Sequence, residues 1–382
     1  MKRPIYLDYN GTTPHDPEVI AAMMPYLEEE FGNPSSTHWY GIAPKRVLAE
    51  ARRHVAALLN CDPAEIVFTS GGTESNNHAI AGTAWAKRSL GNHIITGTVE
   101  HPAVLEVCHF LESQGFRVTY LPVDEFGMVS VPDVEAAITD RTILITIMHA
   151  NNEVGTIQPI EEIGHLAGER GITMHTDAAQ SLGKIPADVN GLGVDLLSVA
   201  GHKLYAPKGV GAIYIRNGTM LSKFMLGAGQ EKGKRAGTEN VPEIVGLGKA
   251  CEIARRDLER NASIMQKTRD MLHRGLADRI PDMRLNGHPE KRLPNTLSLS
   301  FKGLEADRIL EEIGLDVAAS AGAACHSDTV EISHVLQAMN VPIEWAKGTL
   351  RFSTGRMTTE DEILRTTEVV VAAVKRLSAN GL

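Results

Sequence analysis

Cysteine is scarce in this chain. Its 382 residues hold four, Cys61, Cys108, Cys251 and Cys325, far apart and without a C-x-x-C pair. That argues against a disulfide framework and against a thiolate zinc site, and for a reducing compartment, so a cytoplasmic location is expected. An excess of positive charge is also missing: 38 Lys and Arg face 47 Asp and Glu, a formal net charge of −9. Sequence-independent nucleic-acid binding neutralises phosphates with Lys and Arg, and is not expected here. No apolar run approaches the ~20 residues that cross a bilayer, and MKRPIYLDYN lacks the apolar core of a secretory signal, so no membrane association is expected. Low-complexity tracts and fixed-period repeats are absent, which excludes solenoids and propellers. What remains, 43% hydrophobic and 22% charged, is ordinary for a soluble globular protein long enough for two or three domains.

From about Lys45 to Gly248, short apolar runs alternate with longer segments of helical spacing. The strand candidates are Glu65–Ser70, Ile94–Thr98, Arg117–Val123, Ile143–His149, Ile172–Thr176 and Val194–Ala200, most of them apolar throughout, as strands buried on both faces are. Such alternation predicts an α/β fold with a mostly parallel sheet and helices on both faces. Val210–Ile215 follows a Pro- and Gly-containing turn and reads as an antiparallel addition. Val241–Ile280 is helical for too long to be one ordinary helix and is expected to bend or break. After Pro281 the order changes. A strand (Leu297–Phe301) precedes a helix near Glu305–Ile313, a strand near Asp316–Ser320, a glycine-rich loop and a helix near Val330–Met339. A strand (Thr349–Ser353) and a helix from Thr359 to about Leu377 complete a smaller α+β unit. We expect a large domain over 15–255 and a small one built from 1–14 and 256–382.

Three short segments carry the chemistry. Ser70-Gly71-Gly72-Thr73-Glu74 lies between a buried strand and a helical pattern, where small residues and free helix N–H groups suit an anion; an ordinary turn with Thr73 as N-cap is the competing reading. The G-x-x-x-x-G-K-[ST] and G-x-G-x-x-G loops of nucleotide folds are both absent from it. His175-Thr176-Asp177 stands at the C-terminal end of a strand, where ligands of open parallel sheets collect; Asp177 either serves a ligand or caps the next helix. Gly201-His202-Lys203 follows another buried strand, a setting that lowers a lysine pKa and exposes a nucleophilic amine. One cofactor needs all three. Pyridoxal phosphate (PLP) has an aldehyde that takes a lysine, a ring nitrogen that pairs with a carboxylate, and a phosphate that needs an anion cup. Lys203, Asp177 and the Gly72-Thr73 turn supply them. His101, after the strand Ile94–Thr98, is placed to stack on the ring, although a lone histidine is more often structural.

The ordered motifs YLDYNGTTP, FGNPSSTH, FTSGGTESNN, VEHPAV, MHANNEVGTIQPI, HTDAAQ, GHKLYAPKGVGA, RAGTEN, GAACHSD and LRFSTGR extend over nearly the whole chain. In them the sequence resembles the NifS/IscS-type cysteine desulfurases, class V members of the fold type I PLP-dependent transferases. The resemblance implies that Lys203 holds PLP as a Schiff base, Asp177 pairs with the pyridine nitrogen, and Gln180 bonds the ring hydroxyl. It further implies that His101 stacks on the ring and that Thr73 and His202 bind the phosphate. Thr238 would reach the phosphate of a partner subunit, hence a homodimer, and Asn152 and Arg351 would hold the substrate amino acid. No metal is expected.

Cys325 lies among small residues in Ala321-Gly322-Ala323-Ala324-Cys325-His326-Ser327-Asp328. A free cysteine is usually a small buried hydrophobe; glycine and polar neighbours weaken that reading, and the resemblance makes this thiol the sulfur acceptor. Cys61, Cys108 and Cys251 read as packing residues. The implied reaction turns L-cysteine into L-alanine. Lys203 moves the α-proton, and a Cys325 persulfide carries the sulfur to an acceptor such as an iron–sulfur scaffold or a tRNA-thiolation protein. Two positions depart from the family pattern. Ala200 replaces a serine that assists the phosphate, and the Cys325 segment is similar to that of selenocysteine lyases. His326 is either a proton donor or idle. A selenocysteine lyase acting on L-selenocysteine is the nearest rival, ahead of a class V aminotransferase and a non-catalytic scaffold for PLP or sulfur carriers.

Overall fold

The structure is a computed structural model that describes residues 3–326 and 329–379, with the side chains of 323–331 outside the description. Seven strands form its main sheet, in the order Ile66–Thr69, Gly211–Ile215, Leu196–Ala200, Thr173–Asp177, Thr142–Thr146, His93–Gly97 and Arg117–Leu121. Gly211–Ile215 alone runs against the others, as its short connection from Leu196–Ala200 requires. The inner strands are buried along their full length, which is why they read as unbroken apolar runs.

Helices close both faces. On one side Ile42–Leu59 and Val241–Arg256 pack over a core that includes Val55, Leu59, Val199 and Leu247. They cross closely because position 248 is glycine: a Cβ there would stand 2.6 Å from Ala51 Cα. The opposite face is covered by Gly72–Ala86 and Pro102–Ser113. The long helical stretch breaks at Asp257 into Val241–Arg256 and Leu258–Ala277, the interruption its length predicted.

A second sheet has the order Ser320–Ala321, Thr349–Ser353, Thr296–Phe301 and Met283–Asn286, antiparallel throughout. Leu258–Ala277, Ala306–Ile313 and Glu360–Ala379 enclose its core of Leu272, Leu299, Phe301, Ile309, Phe352 and Val370. The N-terminal segment joins this unit, with Ile5–Tyr6 pairing in parallel with Val317–Ala318. The segment from 316 to 339 departs from its sequence reading. The expected strand near Asp316–Ser320 is two separate two-residue pairings, Val317–Ala318 and Ser320–Ala321. In place of the glycine-rich loop, Ala323–His326 pairs antiparallel with Thr329–Ile332. The helix expected near Val330–Met339 is only His334–Ala338, because Ser333 caps it by accepting from Val335 N–H and the β-branched residues before it extend.

Cys108 and Cys251 are buried, Cys61 is half-buried, and burial pushes all three thiols up to about 12. Among the described residues no helix is long and apolar enough to cross a membrane. One buried ion pair anchors the loop beyond the main sheet. Glu231 takes both Arg52 Nη atoms at 2.7 Å and accepts Phe68 N–H at 3.0 Å. Glu231→Ala leaves the Phe68 N–H and the half-buried Arg52 guanidinium, which keeps its bond to the Ile66 carbonyl, without their carboxylate. It is expected to cost about 2–3 kcal/mol in urea unfolding; a loss below about 1 kcal/mol would show the pair to be solvated.

Candidate active site

A cavity of about 290 Å³ opens where the C-terminal ends of the parallel strands meet the N-terminal segment and the second sheet. Lys203 enters it from the 3-10 turn Gly201–Lys203, immediately after the strand Leu196–Ala200. Its Nζ donates to the carbonyls of Asn10 and, at 2.6 Å, Gly11. Burial lowers its pKa to about 8, with Arg351 acting in the same direction and Asp8 and Asp177 opposing.

Asp177 ends the strand Thr173–Asp177. Its side chain accepts from Asn76 Nδ2 at 2.7 Å and from Ala179 N–H at 2.8 Å. The segment after it is a turn and not a helix, so the helix-cap reading fails and the cavity-lining position holds. Asn76 Oδ1 is buried without a partner among the described residues. His101 is the N-cap of Pro102–Ser113 and accepts Ala103 N–H on Nδ1 at 3.0 Å, which leaves the ring proton on Nε2. Burial lowers its pKa, Asp177 raises it, and Lys203 and His334 lower it further; the imidazole is neutral.

The Gly71–Thr73 turn begins the helix Gly72–Ala86, with Gly71 at φ 150°. Glu74 fixes the turn by accepting Ser70 N–H at 2.8 Å while pairing with Arg235 Nε at 2.9 Å. A Cβ at Gly72 would stand 3.2 Å from Ala200 Cβ. Small residues on both sides therefore let strand and helix meet, which is one physical use of Ala200. His202 contacts Thr12 Oγ1 through Nδ1 at 3.2 Å, and burial lowers its pKa to about 4, helped by Lys203 and Lys208.

Arg351 enters from the strand Thr349–Ser353. One Nη meets Asp8 Oδ1 at 2.7 Å and Ser320 Oγ at 3.1 Å; the other reaches the Asn152 carbonyl at 3.0 Å. Its Nε is buried without a partner among the described residues. Gln180 donates through Nε2 to the Asn10 carbonyl at 3.1 Å. Lys203, Asp177, Gln180, His101, His202, Gly72, Thr73, Asn152 and Arg351 thus share one cavity. Thr238 does not. It is exposed and lines a second hollow of about 210 Å³ with Ser70, Glu231 and Arg235. Cys325 pairs through its backbone with Val330, and its side chain lies outside the described residues. The residues missed individually are Asp8, Asn10, Gly11 and Asn76. All but Asn76 belong to YLDYNGTTP, whose polar turn after a short apolar run was the available signal.

The donor set suits PLP: a buried amine, a carboxylate at a strand end, a neutral imidazole and a glycine-opened helix N-terminus around one small cavity. Fold and site together define a PLP-dependent enzyme of fold type I. The sequence profile described as aminotransferase class-V matches residues 5–365. The cysteine desulfurase IscS of Dictyoglomus turgidum is 50% identical over 378 residues, 99% of this chain and 96% of that protein. A solved NifS-like protein superposes with a TM-score of 0.92 at 37% identity, covering 98% of this chain and all of that one. A structure described as SspA in complex with cysteine gives 0.82 at 38% identity over 93% of this chain and 100% of its own. The chain belongs to the aminotransferase class-V family, in its cysteine desulfurase branch.

Proposed function

We propose that this cysteine desulfurase acts on L-cysteine, releasing L-alanine and leaving the sulfur as a persulfide on Cys325. The observation that carries this reading is the Lys203 amine, desolvated in the same cavity as Asp177 and Arg351. When bound, PLP supplies an aldehyde for a lysine amine and an electron-withdrawing ring that accepts the electrons left by a departing α-proton. Asp177, held by Asn76 and Ala179, offers a fixed carboxylate to a protonated ring nitrogen. Lys203, with its pKa lowered to about 8, is free base often enough near neutral pH to take and return the α-proton. Arg351 and Asn152, which line the same cavity, bind the amino acid. The Cys325 thiolate forms an S–S bond to the substrate sulfur as the C–S bond breaks, with the electron pair remaining on carbon, which then takes a proton.

The near-full-length relatives named as cysteine desulfurases favour this reading over a selenocysteine lyase, despite the departures around Cys325. A homodimer follows from the same reading. Thr238, exposed and apart from the Lys203 cavity, would serve the partner's phosphate. The sulfur would pass to a protein acceptor, an iron–sulfur scaffold or a tRNA-thiolation protein, in the cytoplasm. The chain would divide into 15–255, and 1–14 with 256–382 as the unit carrying Cys325. The test is alanine and sulfide release from cysteine beside selenide release from selenocysteine. Stoichiometric alanine and sulfide are expected. Turnover confined to selenocysteine, or pyruvate-dependent amino exchange without sulfide, would overturn it.

A further inference from the structure

Lys184 is an ammonium side chain with no role in the site described so far. It is 5% exposed, and lies behind the wall that carries Gln180. Its Nζ donates to Gln180 Oε1 at 3.1 Å and to Asn10 Oδ1 at 3.2 Å. Asn10 Oδ1 also accepts Asn295 Nδ2 at 2.9 Å, while Asn10 Nδ2 donates to Thr296 Oγ1 at 2.8 Å, so the orientation of Asn10 is settled by its neighbours. Gln180 is therefore fixed from both ends. The Lys184 ammonium can only donate to its oxygen, and the Asn10 carbonyl can only accept from its nitrogen. One Nε2 hydrogen goes to Asn10. The second has no recorded acceptor among the described residues, and Gln180 lines the cavity.

We propose that Lys184 is a positioning residue that locks the Gln180 amide with its N–H toward the cofactor's ring oxygen. The inference rests on the reading that Gln180 meets that oxygen. Without Lys184 only the Asn10 carbonyl would oppose turning the amide carbonyl inward, a turn that exchanges a donor for an acceptor against an anionic oxygen. Burial lowers the Lys184 pKa to about 7, and Lys203 and Arg351 act in the same direction. Both protonation states carry N–H donors for Gln180, and the ammonium alone is barred from accepting, so the lock is strictest in the charged form.

The PLP-loaded protein provides a readout apart from turnover, because its visible absorbance titrates with loss of one proton. An N–H directed at the ring oxygen favours the form that has lost the proton, so removing it raises the apparent pKa. Arg351, Asp8, Asp177, His101 and His202 are the same in every variant. Lys184 is itself a cation repelled by Lys203, so Lys184→Gln, which removes the charge and keeps a donor, separates the two effects of Lys184→Met. Gln180→Leu and Lys184→Met are each expected to raise that pKa by about one unit. The double variant is expected to show little beyond Gln180→Leu alone, because Lys184 acts through Gln180. An unmoved titration in Gln180→Leu overturns the reading of Gln180 and the inference with it. A shift in Gln180→Leu but none in Lys184→Met, or fully additive shifts, overturns the positioning role alone. Lys184→Gln, which keeps a donor without the charge, carries the test if the methionine variant does not fold. A titration displaced as little as wild type supports the inference. A full shift that persists beside Gln180→Leu sinks it.

Discussion

Lys203→Ala is expected to abolish alanine and sulfide release, by at least about 10⁴-fold, while leaving a folded protein that holds PLP only reversibly. The magnitude follows from two losses at one atom. In the proposed mechanism the amine is both the covalent attachment point for the aldehyde and the base that takes the α-proton. No neighbour replaces it: Lys184 is turned away toward Gln180 and Asn10, and His101 is a neutral N-cap. Folding survives because Nζ is bonded only to the Asn10 and Gly11 carbonyls at the cavity wall, where water can take its place. Borohydride treatment followed by peptide mapping should place the reduced adduct on Lys203 in the unaltered protein and nowhere in the variant. Reconstitution of the apoprotein has a matching pH dependence. The nucleophile is the free amine, so the rate should rise with pH and level off above about 8, not near 10.5 as for a solvated lysine. Adduct at another lysine, or a reconstitution rate still climbing above pH 10, would contradict the assignment.

The sequence made the strand ends legible because buried parallel strands advertise themselves as apolar runs, and each polar interruption at their C-terminal end then stands out. Asp177 and Lys203 were visible for that reason. The break at Asp257 was visible too, from the length of the helical pattern. Less legible were residues whose position depends on chain segments distant in sequence. Asn10 touches Gln180, Lys184, Lys203 and Asn295, contacts that no local periodicity encodes. Asp8 meets Arg351 across 343 positions, so the arginine that the resemblance assigns to the substrate already pairs with a carboxylate of its own chain. The 316–339 segment misled for a different reason. Glycine and alanine are compatible with a loop, and only pairing with Thr329–Ile332 makes Ala323–His326 a strand, a tertiary choice that propensity does not specify. Thr238 illustrates the opposite limit, since its proposed use requires a second copy of the chain.

The other large effect is expected at Cys325. Cys325→Ala should reduce sulfide release from cysteine by at least about 10³-fold, with the absorbance of bound PLP unchanged, because it removes the acceptor of the sulfur atom and nothing that binds the cofactor. Cys325→Ser should be as inactive, since a hydroxyl at neutral pH is not a thiolate and cannot form an S–S bond. The contrast with selenocysteine gives the prediction its force. A C–Se bond breaks more readily and a selenol is the better leaving group, so the same variants should retain much of their selenide release when a thiol reductant is present. In the proposed mechanism, substrate binding through Arg351 and proton movement through Lys203 are common to both reactions. A selective loss with cysteine therefore isolates the C–S cleavage step as the one that needs the thiol. Equal loss with both substrates would move the role of Cys325 from sulfur transfer to the pairing of Ala323–His326 with Thr329–Ile332.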